Sequence, residues 1–300
     1  MGSTKRWNWF GKALLEGMRK AMPLVNEIPE KCKLCGSRNI VRFGHYKQIQ
    51  RWWCKDCGRK FVNNDALPKM KTPVIQIALA MSEFYEGNSL QAICRNLHQT
   101  YNSYVTDAAV YYWITKFTKI AIARIEGITP VVGDIWVADE TVLDIGGENI
   151  WFWDIIDTKT RFLLASHTSL TRTKRVAQTL MEKAAERAQK TPKVVRTDKL
   201  AAYLDGIELA FGADTKHKQG GPFSTEANTN LIERFHGTLK ARTKVMRGLK
   251  KSRTASLVMD GWLVHYNFLR PHESLKGLTP AEAAKVRFPY KNWLDIVRGG

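Results

Sequence analysis

Apolar residues recur at helical spacing in four stretches of the N-terminal half. The first, residues 5–22, predicts a short amphipathic helix that ends at Pro23 and Pro29. The other three lie within residues 70–124, and each follows a residue suited to cap a helix: Thr72, Ser89 and Thr106. Short helices joined by a Gly-Asn turn and a polar stretch are typical of a helix-turn-helix that contacts DNA, although three such helices also occur as plain spacers.

From about residue 131 the pattern changes to strands. Three β-rich runs joined by short turns are followed by a helix, a short strand ending near Asp198, a second helix and a short strand around residues 214–218. A long helix then begins at about residue 227. An antiparallel meander followed by alternating helices and strands is the order of an α/β fold of the ribonuclease-H-like type.

Four cysteines precede the three helices in two Cys-x-x-Cys pairs, Cys32/Cys35 and Cys54/Cys57, with 18 residues between the pairs. This spacing is typical of a zinc ion held by four thiolates, and the intervening segment alternates like a β-hairpin. We therefore predict a zinc ribbon with one structural Zn²⁺. Disulfide bonds, or His45 as a ligand in place of one thiolate, are the alternatives.

A chain of 300 residues is long for one domain, and the patterns divide it into four segments. These are an N-terminal amphipathic helix, a zinc ribbon, a helix-turn-helix and a ribonuclease-H-like domain, predicted at residues 1–27, 28–66, 70–124 and 130–290.

The chain is strongly basic. Lysine and arginine number 47 against 28 acidic residues, which gives a formal net charge of +19 and a pI of about 9.8. A polyanion is the expected partner, and an anionic membrane surface is the competing one. No apolar run approaches the ~20 residues that span a bilayer, and the start of the chain has no signal-peptide pattern. We therefore expect a reducing cytoplasm, in which paired cysteines bind metal.

Three acids stand where an acid is locally unusual. Asp139 interrupts an apolar run, Asp198 ends a β-branched run, and Glu233 opens a basic helix after 34 intervening residues. Cleavage of a phosphodiester needs an activated attacking oxygen and a stabilised leaving oxygen, and two Mg²⁺ ions held by a few carboxylates meet both needs. Our hypothesis is that the three acids converge to hold two such ions.

The neighbouring acids are weaker candidates. Glu140 is expected on the opposite face of its strand from Asp139, because side chains alternate along a strand. Three further acids lie nearer the ends of predicted hairpins, where turn or solvent-exposed acids are common: Asp144, Asp154 and Asp157.

The helix that contains Glu233 has two distinct faces. At 100° per residue, Leu231, Phe235 and Leu239 share one face, and the opposite face combines Glu233 with basic residues: Lys240, Lys244 and Arg247. A single carboxylate on a cationic face fits a metal ligand beside a bound DNA strand. A solvated basic face with an acid at the helix start is the alternative.

Several motifs together resemble those of a known family. VADET, RTDKLAAY, NLIERFHGTLKARTKVMRG and HYNFLRPHESLKGLTPAEA are similar to motifs of the DDE transposases of insertion sequences. The likeness is closest to the insertion-sequence-six family of the retroviral-integrase superfamily, and it covers roughly residues 130–285. It implies a ribonuclease-H-like catalytic domain, preceded here by a zinc ribbon and an all-α helix-turn-helix.

The resemblance also implies roles for individual residues. Asp139, Asp198 and Glu233 match the family's catalytic, metal-binding acids, which implies two Mg²⁺ or Mn²⁺ ions for each active site. Lys240 matches a basic residue seven positions after the glutamate, and Arg234 replaces the family's usual glutamine. Five basic residues are the expected DNA contacts: Lys240, Lys244, Arg247, Arg234 and Arg270. For Arg270 and for His272 in the Tyr-Asn-x-x-Arg-Pro-His stretch, a structural role is ranked above a DNA contact.

The function implied by the resemblance is transposition. Such an enzyme binds the terminal inverted repeats of its element as double-stranded DNA, frees 3′-OH ends and joins them to target DNA without a covalent protein intermediate. We expect a homodimer or a larger assembly at the nucleoid of a prokaryotic cytoplasm. The rivals are a domesticated transposase that regulates by binding DNA and a related nuclease that cuts without joining.

Overall fold

The computed structural model describes residues 28–46, 49–145, 147–220, 229–244 and 252–299. The chain divides into two compact units, residues 1–79 and 80–300. The predicted helix over residues 5–22, the loop 221–228 and the predicted DNA contact Arg247 lie outside the described residues. The four segment boundaries drawn from the sequence stay a prediction.

The first unit contains a three-stranded antiparallel sheet in the order β1-β2-β3. Its strands are β1 (Ile40–Tyr46), β2 (Ile49–Cys54) and β3 (Lys60–Val62). Trp52 and Phe61 are buried with Cys32 and Cys54, so the cysteines belong to the core of this small sheet. The predicted hairpin between the two cysteine pairs is confirmed.

Three helices follow: α1 (Val74–Tyr85), α2 (Leu90–Tyr101) and α3 (Asp107–Ile125). The side chains of Ser89 and Thr106 accept hydrogen bonds from the amides of Ala92 and Ala109, which confirms two of the predicted caps. The helix α1 begins after Pro73, whose carbonyl accepts from the amide of Ile77. DNA binding by these helices stays a prediction.

The second unit contains a five-stranded mixed sheet in the order β6-β5-β4-β7-β8. Its strands are β4 (Ile135–Ile145), β5 (Glu148–Asp157), β6 (Leu163–Ser169), β7 (Val194–Thr197) and β8 (Lys216–Gln219). The strands β4, β5 and β6 form an antiparallel meander, and β7 and β8 run parallel to β4. The connecting helices are α4 (Lys174–Ala188) and α5 (Ala201–Phe211). This is the ribonuclease-H-like arrangement that the sequence predicts.

Helices after the sheet complete the second unit. They are α6 (Asn230–Lys244), α7 (Ser252–Val264), α8 (Pro280–Ala283) and α9 (Trp293–Arg298). A π-helical turn, His265–Leu269, follows α7, and the side chain of Asn267 in this turn bonds to both the amide and the carbonyl of Leu163 at 2.8 and 2.9 Å. This pair of bonds fixes the turn to β6. Asn267 therefore has a structural role, whereas the roles of Arg270 and His272 stay predictions.

Candidate active site

The neighbouring strands β4 and β7 part at the level of two predicted acids. Their parallel pairing runs from Ile135 beside Val194 to Val137 beside Arg196, and β7 ends one residue later. Continued at the same register, Asp139 and Asp198 lie side by side. The two acids therefore stand where β4 extends beyond its neighbour and leaves one edge open, with Asp139 inside β4 and Asp198 directly after β7, as the sequence predicts.

Three carboxylates meet at this edge, and we call them the acid cluster: Asp139, Glu140 and Asp198. Their oxygen atoms lie within 4.8 Å of one another. Burial raises the pKa of Asp198, and the charge of Asp139 adds to the rise. Burial likewise raises the pKa of Glu140, with a contribution from Asp198. Because every donor is an oxygen and the charges repel, the cluster fits a hard divalent cation such as Mg²⁺.

The exclusion of Glu140 from the site was wrong, although the alternation behind it was correct. Asp139 pairs with Asp154 on one face of the sheet, whereas Glu140 pairs with Trp153 on the other. Both carboxylates nevertheless reach the open edge of β4, because no strand covers that edge beyond Val137. Alternation fixes the direction in which a side chain leaves the strand, and it does not fix where a longer side chain ends.

Two polar side chains hold Glu140 in place. The Tyr203 hydroxyl donates to Glu140 Oε2 at 3.0 Å, and Arg172 Nη1 lies 3.4 Å from Oε1. The Arg172 guanidinium also lies over the ring of Trp151, 4.0 Å from its centroid. Arg172 is thus a cation in contact with the acid cluster through Glu140, a role that its position in the sequence did not reveal.

A buried histidine lies on the other face. The Nδ1 atom of His236 is 3.3 Å from Asp139 Oδ2, and its Nε2 atom is 3.0 Å from Asp154 Oδ2. Burial lowers the pKa of His236, but the hydrogen bonds to Asp139 and Asp154 outweigh it and raise the pKa to about 9. The ring is therefore an imidazolium that bridges two carboxylates. In the sequence, the signal for His236 was its position on the same predicted helix, three residues after Glu233.

Asp154 is a buried partner of this histidine and is not a turn acid. It is fully buried in the middle of β5, and the Ser166 hydroxyl donates to its Oδ1 at 2.5 Å. The interpretation of Asp154 as a hairpin-end acid was wrong. Asp144 does stand at a turn, where it accepts from the Gly147 amide, whereas Asp157 is a buried turn acid that binds Thr160 and Gly133.

Glu233 is exposed in the first turn of α6, where it accepts a hydrogen bond of 2.7 Å from Thr229. It is not one of the three carboxylates of the acid cluster. The helix α6 packs against β4, and His236, one turn further on, contacts Asp139. The catalytic assignment of Glu233 stays a prediction.

The predicted DNA contacts fall on two faces of α6. Lys240 and Lys244 are exposed on the same helical face as Glu233. Arg234 faces another way and lines a pocket with Arg270. Arg242, which the sequence did not single out, is buried with its guanidinium 3.9 Å from the ring centroid of Phe84. These DNA contacts stay predictions.

The four cysteines of the first unit form the second group suited to metal, and we call them the cysteine cluster. Their Sγ atoms lie within 4.8 Å of one another, with Cys32–Cys57 at 3.8 Å and Cys35–Cys54 at 3.6 Å. A tetrahedral zinc ion bound at ~2.3 Å has sulfur atoms about 3.8 Å apart, whereas a disulfide needs about 2.05 Å. The geometry fits a four-thiolate metal site, and the sulfur atoms are too far apart for disulfide bonds.

Comparison with known proteins identifies the class of the second unit. Residues 133–272 match a family model described as a DDE domain. This segment is similar to the DDE domain of transposases, a class of enzymes that cut DNA, and it contains the carboxylates of the acid cluster. None of the curated sequences compared with the chain matches it significantly.

Solved structures similar to this chain include retroviral integrases. The catalytic core domain of HTLV-2 integrase is 17% identical with a TM-score of 0.40, covering 53% of this chain and 99% of its own. The BIV integrase core is 18% identical with a TM-score of 0.39, covering 51% and 94%. The fold assignment therefore rests on the strand order, because these structural similarities are too weak to support it further. Within the described residues, every helix is too short or too polar to span a bilayer.

Proposed function

We propose that this protein is a transposase that binds the terminal inverted repeats of its element, cleaves the DNA to free 3′-OH ends and joins those ends to target DNA. One observation carries the proposal: within a DDE domain, the carboxylates of Asp139 and Asp198 meet at the open edge of β4. Mobile-element ends and target DNA are both polyanions, which suits a chain of formal net charge +19.

The acid residues have separate tasks in this proposal. Asp139, Asp198 and Glu233 would hold two Mg²⁺ or Mn²⁺ ions, and Glu140 is a fourth candidate ligand because its carboxylate belongs to the acid cluster. Divalent cations in such a site supply activation of the attacking oxygen and charge stabilisation at the leaving oxygen. Glu233 would approach from α6, at a helix start, while the aspartates are fixed on the sheet.

Neighbouring residues orient the acids. His236 holds Asp139 from one face through a hydrogen bond that its second nitrogen anchors to buried Asp154. Arg172 and Tyr203 hold Glu140 from the other face. Carboxylates fixed in this way need little rearrangement when a phosphodiester binds.

The first unit and the exposed face of α6 would bind the DNA. The cysteine cluster would hold one structural Zn²⁺, and with four protein ligands such a site folds the ribbon and leaves no open position for catalysis. Lys240 and Lys244 would contact backbone phosphates of double-stranded DNA beside the acids. Paired ends need two copies of the active site, so a homodimer or larger assembly at the nucleoid is expected.

The experiment combines the full-length protein, a labelled duplex bearing an element end, a target plasmid and Mg²⁺. We expect nicking that frees a 3′-OH, followed by joining of the label to the plasmid. Asp139→Asn, Asp198→Asn and Glu233→Gln should each abolish both products, while Asp144→Asn, an acid on an exposed turn, should leave them unchanged.

Each rival function has its own outcome. Nicking without joining would make the protein a nuclease, and binding of the end without any product would make it a DNA-binding regulator. Products that persist in Glu233→Gln but vanish in Glu140→Gln would move the third metal ligand from α6 to β4.

A further inference from the structure

A pocket of about 220 Å³ lies on a different face of α6 from the predicted DNA contacts Lys240 and Lys244. Three arginines from separate segments line it: Arg161 after β5, Arg234 in α6 and Arg270 after the π-helical turn. Tyr266 and His272 also line this pocket, which we call the arginine pocket. Neither Arg161 nor the convergence of the three arginines was anticipated from the sequence.

The three guanidinium groups are not neutralised by the protein. In the part of the chain that the structure describes, no carboxylate lies within 4.0 Å of any of them, and none donates a hydrogen bond to a protein acceptor. The nearby acids have other partners: Asp157 binds Thr160 and Gly133, and Glu86 binds His265. Glu273 lies at the edge of the pocket and is exposed.

The electrostatics of the pocket agree with this imbalance. Burial lowers the pKa of Arg161 and the charge of Arg234 adds to this effect, whereas Tyr266 and Asp157 act in the opposite direction. Burial, together with the charge of Arg270, lowers the pKa of His272 to about 4, and His272 Nε2 is buried without a hydrogen-bond partner among the described residues. Like charges held together become more favourable when an anion enters.

The helical geometry separates this pocket from the acid cluster. At 100° per residue, Arg234 and Thr238 project about 80° to 160° away from Glu233, Lys240 and Lys244 on α6. His236, which contacts Asp139, also lies outside the pocket face. The arginine pocket therefore opens on a different face of α6 from the one that carries Glu233.

We propose that the arginine pocket binds a backbone phosphate of duplex DNA at a position distinct from the scissile phosphate. Guanidinium groups bind phosphate oxygens through two parallel N–H bonds, and three arginines from different segments can surround one phosphate. Arg234 is exposed and Arg270 half-buried, so the pocket is open to a phosphate that belongs to a polymer. This inference rests on the proposed function, and it adds a second DNA contact to that function.

The test measures the salt dependence of DNA binding by the full-length protein. A labelled duplex of random sequence is titrated at several salt concentrations without Mg²⁺, so that no strand is cut. Loss of one phosphate contact lowers the slope of log K against log salt by about 0.9. We expect this loss for Arg161→Gln, Arg234→Gln and Arg270→Gln. The triple variant should lose about the same amount, because the three arginines share one phosphate.

Two variants serve as controls. Arg287→Gln removes one charge from an exposed side chain outside the pocket and should leave the slope unchanged. Arg234→Lys keeps the charge and should preserve the slope while weakening affinity, because an ammonium cannot bind phosphate through two parallel bonds. Arg234 is exposed, so neither of its variants removes a core side chain.

Three results would overturn the proposal. An unchanged slope in the arginine variants would show that the pocket does not bind DNA. This conclusion would hold even if inorganic phosphate raised the thermal midpoint of the wild-type protein and not that of Arg234→Gln. Slope losses that add up across the triple variant, or an equal loss in Arg287→Gln, would indicate diffuse charge. A change of oligomeric state with an unchanged slope would assign the pocket to a contact between chains.

This result is independent of the proposed chemistry. Pocket variants that lose slope in a protein that neither cuts nor joins DNA would retain the phosphate site and reject the transposase. Cutting and joining by the wild-type protein, combined with unchanged slopes in the variants, would support the transposase and reject the phosphate site.

Discussion

The cysteine cluster and the acid cluster are both suited to metal, but they are built in opposite ways. The cysteines come from two tight turns of one small sheet, and two of them are buried in its core. The carboxylates come from β4 and from the residue after β7, and they lie at a sheet edge where Glu140 is nearly buried and Asp139 and Asp198 are partly exposed. A site closed by four soft ligands holds a fold together, whereas an open set of oxygen ligands leaves coordination positions for a substrate.

The largest difference between the two clusters should appear when ligands are removed. Replacing Cys54 and Cys57 by serine should release the metal and unfold the first unit, because structural zinc contributes roughly 10–16 kcal/mol to such domains. Metal content measured by mass spectrometry should fall from about one ion per chain to none, and amide exchange should rise across the ribbon.

The matched control for that change is Cys94→Ser in α2. Cys94 does not belong to the cysteine cluster, so metal content and exchange in the ribbon should stay unchanged. Full metal content in the Cys54/Cys57 double variant would refute the four-thiolate site.

Removing a ligand from the acid cluster should have the opposite effect on stability. Asp198→Asn should lower strand cleavage roughly a thousandfold or more while raising the thermal midpoint of the metal-free protein. The reason is that burial and Asp139 raise the pKa of Asp198, so its charge destabilises the fold. Cleavage rates and thermal unfolding of one preparation test both parts, and a lower midpoint would contradict the account.

Loss of the His236 bridge between Asp139 and Asp154 should have a smaller effect, in free energy, than the loss of cleavage in Asp198→Asn. His236→Gln should cost about 3 kcal/mol of unfolding free energy, because buried Asp154 loses its cation. The folded pKa of about 9 lies above the unfolded value of ~6.5. The stabilisation is therefore complete below pH ~6.5 and disappears as the pH rises through about 9.

Denaturant unfolding without Mg²⁺, across this pH range, measures that contribution. The double variant Asp154→Asn/His236→Gln should recover part of the loss, since no buried carboxylate remains unpaired. Equal pH dependence in the wild-type protein and in His236→Gln would reject the imidazolium bridge.

The smallest effect is the stabilisation of the acid cluster by Mg²⁺. Because burial raises the pKa of both Glu140 and Asp198, ionising them costs stability as the pH rises above the unfolded values of about 4. Mg²⁺ should add up to about 2.7 kcal/mol at about 100 times its Kd at neutral pH, and almost nothing near pH ~4. Thermal midpoints with and without Mg²⁺ test this, with Asp198→Asn as the variant that should not respond.

The sequence predicted local features well, because each depends on neighbouring residues. The cap residues Ser89 and Thr106 lie directly before the helices that they cap. Each Cys-x-x-Cys pair forms its own local turn, so the spacing of the cysteines was sufficient to predict the metal site. The strand order was predictable from the alternation of elements and from a family resemblance that covers roughly residues 130–285.

Features of the site that depend on pairing between distant segments were not predictable. Glu140 was excluded on alternation, Asp154 was assigned to a turn, and His236 was not considered. Asp154 and His236 are 82 residues apart, and only the packing of α6 against the sheet brings them to 3.0 Å. No local pattern encodes such a contact.

The sequence by itself determined which residue types were available and which local geometry each had: two thiolate turns, acids at strand ends and a basic helix with two faces. Tertiary structure decided which of them meet. The early end of β7 opens the edge of β4 to Glu140, and the turn after β5 brings Arg161 to Arg234 and Arg270. Caps and turns are fixed by short-range sterics and hydrogen bonds, whereas an edge or a pocket exists only after long-range packing has aligned the elements around it.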